Sequence, residues 1–395
     1  MINTKFIGAV LIVSGTTIGA SMLVLPILTS SIGLLYGILT MLFMWVLGYY
    51  SSLIALNINK KHNSAYSVSE LCKRSFKGKF FYIADIAIIS LFYSLLSAYI
   101  SGIVEIFSAF NIMDGILGEY LSYFIVFIFI LFIVYNFRIL GISNSIIFIV
   151  KIFVYILLVT SLIHNMSWDV AVQNNKFVID PLSIYIIFPI FFTSFGFHGS
   201  IPFVIKYLDF DWGNIKKAFF YGSFLSLLIY FSWIISTMSI LPQVGEFSFD
   251  NIKNNENNVG SFLTALVNVT NKKDIFVLSS IFSWLAITTS FLGVGIGLYD
   301  YFIEKLFSDK DIKYKKIKSS FITFFPPVLI TILNKNIFIQ ALSFAAISLS
   351  VIAIILPSII ALKDFREHPK KRSFEKYSVL IILLIGISII CSKIL

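Results

Sequence analysis

GTTIGASMLVLP, residues 15–26, decides how this chain is read. It lies inside an apolar run, Phe6 to Leu28, that is long enough to cross a bilayer, a distance of about 20 helical residues. Ser14, Gly15, Thr16, Thr17 and Gly19 crowd the middle of that run. Glycines and hydroxyls weaken a helix where lipid offers the backbone no other partner. A second interruption, TSFGFHGSIP at 193–202, falls inside the apolar run Tyr185 to Val204. Gly15 to Gly19 alone is a GxxxG, as readily a packing motif as a site. Two breaks in corresponding positions of two halves point instead to a transporter's binding site.

The composition agrees with a membrane setting. Of 395 residues, 58% are hydrophobic and only 13% charged, against about 25% charged in soluble domains. The mean hydropathy is +0.92. The apolar runs do not alternate with period two, which disfavours a barrel and leaves helices. The net charge of +10 is read as a topology signal and not as a nucleic-acid surface.

Eleven spans are expected, at 6–28, 32–56, 80–110, 119–136, 142–165, 182–205, 215–242, 274–302, 319–333, 337–362 and 377–395. With the N-terminus in the cytoplasm, twenty-three of the 30 Lys and Arg residues fall inside, six outside, and Lys151 within a span. That bias supports both the count and the orientation. The loop Asn57 to Lys79 is expected to carry an interfacial helix near Ser67 to Arg74. The loop Gln243 to Lys273, with NIKNNENN at 251–258, is expected to be external and mobile. The first run is too long for a signal-peptide h-region and is read as retained.

Broken helices hold a zwitterion without a fixed charge for each end. Half-helix N–H groups receive a carboxylate, and freed carbonyls receive an ammonium. The candidate contacts are Gly15, Thr16, Thr17, Ile18, Gly19 and Ala20 in the first break. In the second they are Phe195, Gly196, Phe197, His198, Gly199 and Ser200, where the aromatic residues and His198 can shape a pocket for a flat side chain. Lys151 stands deep in the fifth span, where an ammonium can replace a bound cation and carry a proton; snorkelling to the surface is the rival reading. Thr288, Thr289 and Ser290 in the eighth span can complete an oxygen-lined cation or proton site beside the first span. Asp85, Glu105, Asp300 and Glu304, near span ends, are read as solvated or structural.

Cys72 and Cys391 form neither a disulfide framework nor a metal set. No nucleotide-binding loop, Gly-x-Ser-x-Gly or His-Glu-x-x-His occurs, so no enzyme activity, cofactor or metal is expected. The expected partners are a small amino acid, a proton and the lipid bilayer, with no nucleic acid and no obligatory protein partner.

At these motifs the chain resembles a known family. IGAVLIVSGTTIGASMLVLP (7–26) resembles the first helix of the bacterial hydroxy/aromatic amino acid permeases, and FPIFFTSFGFHGSIPFVIKYL (188–208) resembles their sixth. The resemblance runs almost end to end and is strongest to the tyrosine-permease branch. It implies an all-α polytopic inner-membrane protein in a single domain over 1–395. The implied fold is a leucine-transporter-like 5+5 inverted repeat (6–165 and 182–362) with broken helices 1 and 6 and an added helix, 377–395. It also implies proton-driven import of an aromatic amino acid, with Lys151 matching a span-five lysine of proton-coupled relatives in the wider superfamily. Tryptophan or serine/threonine as substrate, sodium coupling, and an ion channel remain the alternatives.

Overall fold

A computed structural model describes residues 4–76, 80–109, 116–135, 137–175, 181–254, 259–306, 312–367 and 373–392. Among them there are helices and no strands. In chain order the first helices are α1 (Thr4–Thr17), α2 (Leu25–Ile32), α3 (Leu34–Lys61), α4 (Val68–Ser75), α5 (Phe80–Ala109) and α6 (Ile116–Tyr135). Then come α7 (Phe137–Ile163), α8 (Trp168–Gln173), α9 (Pro181–Thr193), α10 (Ile201–Tyr207), α11 (Trp212–Met238) and α12 (Phe249–Asn254). The last are α13 (Val259–Thr270), α14 (Lys273–Leu306), α15 (Ile312–Leu333), α16 (Phe338–Ser350), α17 (Leu356–Glu367) and α18 (Ser373–Cys391). Seven helical stretches among the described residues are long and apolar enough to cross a membrane, and shorter apolar helices, α1 and α13 among them, accompany these.

The breaks have local causes. α1 stops at Thr17, the backbone at Gly19 turns extended, and a 3-10 turn, Ala20–Leu23, leads into α2. Pro26 sits in the first turn of α2, where its missing N–H costs nothing. The second break repeats the pattern: α9 stops at Thr193, a 3-10 turn spans Phe197–Ser200, and Pro202 opens α10. Gly33, at φ +86°, supplies the left-handed step between α2 and α3.

α1, α3, α9, α10 and α11 pack on one another, while α5 packs on α6, α14 and α15. α7 runs along α14 and also touches α11. A large apolar core joins most helices. A separate apolar cluster, including Val13, Leu56, Phe197, Ile205 and Phe219, holds together parts of α1, α3, α10 and α11.

Several expectations shift. α15 begins at Ile312, before the expected 319, so the ninth segment is longer than the apolar run alone. Pro326 and Pro327 lie inside it without ending it. α7 begins at Phe137 and not at 142. The loop Gln243 to Lys273, expected to be external and mobile, contains two helices, α12 and α13. α13 is anchored at its start: buried Glu105 of α5 accepts a hydrogen bond from the Val259 N–H, 3.0 Å away. Residues 255–258 of the Asn-rich run lie outside the described residues, as do Lys77, Lys79, Lys176, Lys310, Lys370, Lys371, Arg372 and Lys393. The helix expected near Ser67 to Arg74 is found as α4, capped by Ser67, whose hydroxyl accepts from the Glu70 N–H.

Candidate functional site

Both breaks face one cavity of about 900 Å³. From the first break Gly15, Thr16, Thr17 and Gly19 line it; from the second, Gly196, Phe197, His198, Gly199 and Ser200 do. Ile18, Ala20 and Phe195 stand behind its wall. Phe195 is fully buried and packs edge-on against Tyr230, ring centroids 5.5 Å apart. The opposite wall comes from α5 and α14, with Phe92, Tyr99, Ser290 and Gly293. The cavity continues past Ala55, Asn59, Ser67 and Leu71 toward the end of the molecule that carries Lys60, Lys61, Lys73 and Arg74.

Short 3-10 turns leave the first amides of each following segment without intrahelical partners. One is taken: the Ala20 N–H donates to Ser290 Oγ at 3.2 Å. Ser290 gives its own proton to the Ala286 carbonyl, so one hydroxyl serves both helices. The hydroxyls of Thr16 and Thr17 donate to carbonyls one turn back in α1, and Ser200 donates to Phe197 O. These protons stabilise the ends of the broken segments, and only the oxygen lone pairs are left over.

Lys151 does not snorkel. Its side chain is 1% exposed, and Nζ donates to Ile18 O at 2.8 Å and to Thr289 Oγ1 at 3.2 Å. The ammonium also lies 4.9 Å from the centre of the Phe148 ring, within cation–π range. α7 and α14 thus meet the first break at one buried cation. Thr289 satisfies its own proton at the Leu285 carbonyl and receives the lysine on its lone pair. Thr288, one residue earlier and rotated about 100° around the helix, makes no hydrogen bond to Lys151.

His198 is buried between Phe197, stacked at 5.2 Å, and Ser51 of α3, whose Oγ lies 2.7 Å from Nε2. Sequence reasoning placed Ser290 beside the first span, where it meets Ala20, but missed Ser51 and Tyr230. The Tyr230 hydroxyl donates to both Thr17 O, 2.7 Å away, and Ser194 O, 2.9 Å away. No local irregularity marks these residues in the sequence. Only their partners, far away along the chain, distinguish them.

An all-helical membrane architecture with two helices broken at one cavity is that of a transporter. Comparison with known proteins is specific. The tryptophan/tyrosine permease family model matches residues 2–393, and the chain belongs to that family. It is 30% identical to the tyrosine-specific transport system 1 of Haemophilus influenzae over 98% of this chain and 95% of that one. It is 28% identical to the tryptophan-specific transport protein of Shigella flexneri, covering 98% and 94%. To the low affinity tryptophan permease of Escherichia coli it is 26% identical, covering 92% and 88%. The family and these relatives are transporters and not enzymes, in line with the missing nucleophile and metal motifs.

Proposed function

We propose that the chain imports an aromatic amino acid, L-tyrosine ahead of tryptophan, by proton symport and alternating access across the bacterial inner membrane. The observation that carries this reading is the convergence of both helix breaks on one cavity, with a buried lysine ammonium bonded to the first break. In this reading eleven spans cross the membrane, the two five-helix repeats occupy 6–165 and 182–362, and 377–395 is added. The N-terminus is cytoplasmic and the C-terminus periplasmic, because the cation-rich loops belong inside.

The half-helix ends at Thr17 to Ala20 and Phe195 to Ser200 hold the amino-acid head group, the carboxylate at amides of the second break beyond Phe197, whose own N–H donates to Phe195 O, and the ammonium at the carbonyls of Thr17 and Ser194. Phe197 and His198 shape the wall beside the aromatic ring. Lys151 with Thr289 occupies the place a coupling cation would take, and its proton moves with the transport cycle. The cavity's continuation toward the cation-rich end supports an inward-facing state. Polar bonds also support a moving body of α1, α3, α9, α10 and α11. Lys5 pairs with Asp209, the Trp45 Nε1–H donates to Ser223 Oγ, and Ser51 meets His198.

Tyrosine stands ahead of tryptophan on the resemblance in the two break motifs and on the 30% identical relative. The test is uptake of labelled tyrosine by cells expressing the protein, competed by tryptophan, phenylalanine and serine. Tyrosine should compete best and serine least. Competition by serine alone would overturn the aromatic reading.

A further inference from the structure

The two breaks end on the same hydroxyl. Thr17 is the last residue of α1, and Ser194 follows the last residue of α9. Each carbonyl stands at a helix C-terminus, where intrahelical partners run out and the half-helix dipole is negative. Two such ends brought together in a low dielectric repel each other. Tyr230, from a third helix, places one proton between them. The Gly19 amide and the Ser21 hydroxyl bear on the same phenolic oxygen.

The Tyr230 ring cannot swing away. It is fully buried, with Phe195 packed on its edge. α11 is also locked to α1 through backbone approach: a Cβ added at Gly222 would lie 2.6 Å from the Val13 Cβ. The hydroxyl is therefore held against α1 while it also bonds the second break.

We propose that Tyr230 is a positioning residue that fixes the carbonyls of Thr17 and Ser194 at the spacing a ligand's primary ammonium needs, and that it makes the two breaks move together. The proposal deepens the functional reading above and rests on it. A phenol carries one proton, whereas two carbonyls offer four lone pairs. Acceptor capacity is left over beside a cavity that Thr17 itself lines. An ammonium with three N–H groups complements that arrangement. Lys151 does not fill it, because its ammonium is engaged at Ile18 and Thr289.

The test uses the full chain in lipid nanodiscs, wild type against Tyr230→Phe, which removes one oxygen and keeps the ring. Hydrogen exchange is followed in peptides covering both breaks. Exchange should accelerate about tenfold in both breaks together, the loss of about one hydrogen bond's worth of protection, and stay unchanged in α5 and α14. Acceleration in neither break, or in one only, overturns the tie whatever the protein carries. Binding is then titrated with tyrosine and with its hydroxy-acid analogue, in which a hydroxyl replaces the ammonium. The tyrosine Kd should rise about tenfold and the preference over the hydroxy acid should shrink. Equal losses for both ligands would mean that Tyr230 supports the fold alone and would overturn the ammonium assignment. A wild-type protein that binds no aromatic amino acid contradicts the functional reading instead, and the exchange result still decides the tie.

Discussion

The ammonium of Lys151 and the carbonyl of Ile18 lie 2.8 Å apart, although 133 residues of chain separate them. The contact falls where α1 has just ended and its carbonyls have lost their helical donors. The lysine ties the break to α7, its own helix, and to Thr289 of α14. Removing it should disturb coupling before binding.

Lys151→Ala is expected to abolish proton-driven accumulation while sparing exchange of substrate across the membrane. It also leaves the Ile18 carbonyl without its donor, a cost of about 1–3 kcal/mol. Uptake and counterflow in the same proteoliposomes check this, and unchanged accumulation would remove Lys151 from the mechanism.

Thr289 and Thr288 form an internal control. Thr289→Val removes the oxygen that Lys151 meets at 3.2 Å and should lower proton-driven uptake about tenfold, the effect of one charge-assisted hydrogen bond. Thr288→Val touches no such bond and should stay within about twofold. Paired initial rates at one substrate concentration suffice, and equal effects would contradict the site geometry.

Three glycines at the breaks should respond differently to an added methyl group. A Cβ at Gly196 would meet Leu349 Cδ2 and Thr193 O, both at 2.9 Å, so Gly196→Ala should lower stability by about 1–3 kcal/mol. At Gly19 it would lie 3.1 Å from Ser290 Oγ, beside the bond that Ala20 makes, so Gly19→Ala should weaken binding and Gly19→Leu abolish it. At Gly199 it would meet nothing within 4 Å, so Gly199→Ala should fold normally and alter affinity alone. Thermal midpoints measured alongside tyrosine Kd values separate the three cases.

Much of this was legible in the sequence because it is local. Glycine, hydroxyl and proline clusters mark both breaks, and a lone lysine in an apolar run marks the buried cation. What was not legible depends on which helices pack together. Tyr230 is one of 19 tyrosines and sits in an uninterrupted apolar helix. Ser51 looks like an ordinary membrane-helix hydroxyl until His198 arrives beside it. Conversely, Thr16 and Thr17 looked like ligand contacts, yet their protons go to their own helix. α13 escaped notice because its apolar stretch is short and its anchor, Glu105, is far away along the chain.

Helix α4 offers a pH-dependent check. Burial, reinforced by the nearby Asp85 charge, pushes the Cys72 thiol up to about 11. The thiolate is the reactive form. At neutral pH Cys72 is therefore protonated and slow to react, and its labelling should rise as pH climbs toward 11. Asp85 also accepts from Ser69 of α4 at 2.7 Å and pairs with Lys305. Asp85→Asn should loosen α4 and speed maleimide labelling of Cys72 at fixed pH, read in a Cys391→Ser background. Labelling as fast as that of an exposed thiol in the unmodified protein would contradict the packing of α4.

The most direct measurement is uptake of labelled tyrosine into proteoliposomes under an inward proton gradient without sodium. Concentrative uptake that collapses on adding a protonophore, and is competed by tryptophan more than by serine, is the predicted result. Uptake that appears only when sodium is supplied would contradict proton coupling through Lys151, and no uptake of any aromatic amino acid by folded protein would contradict the substrate class itself.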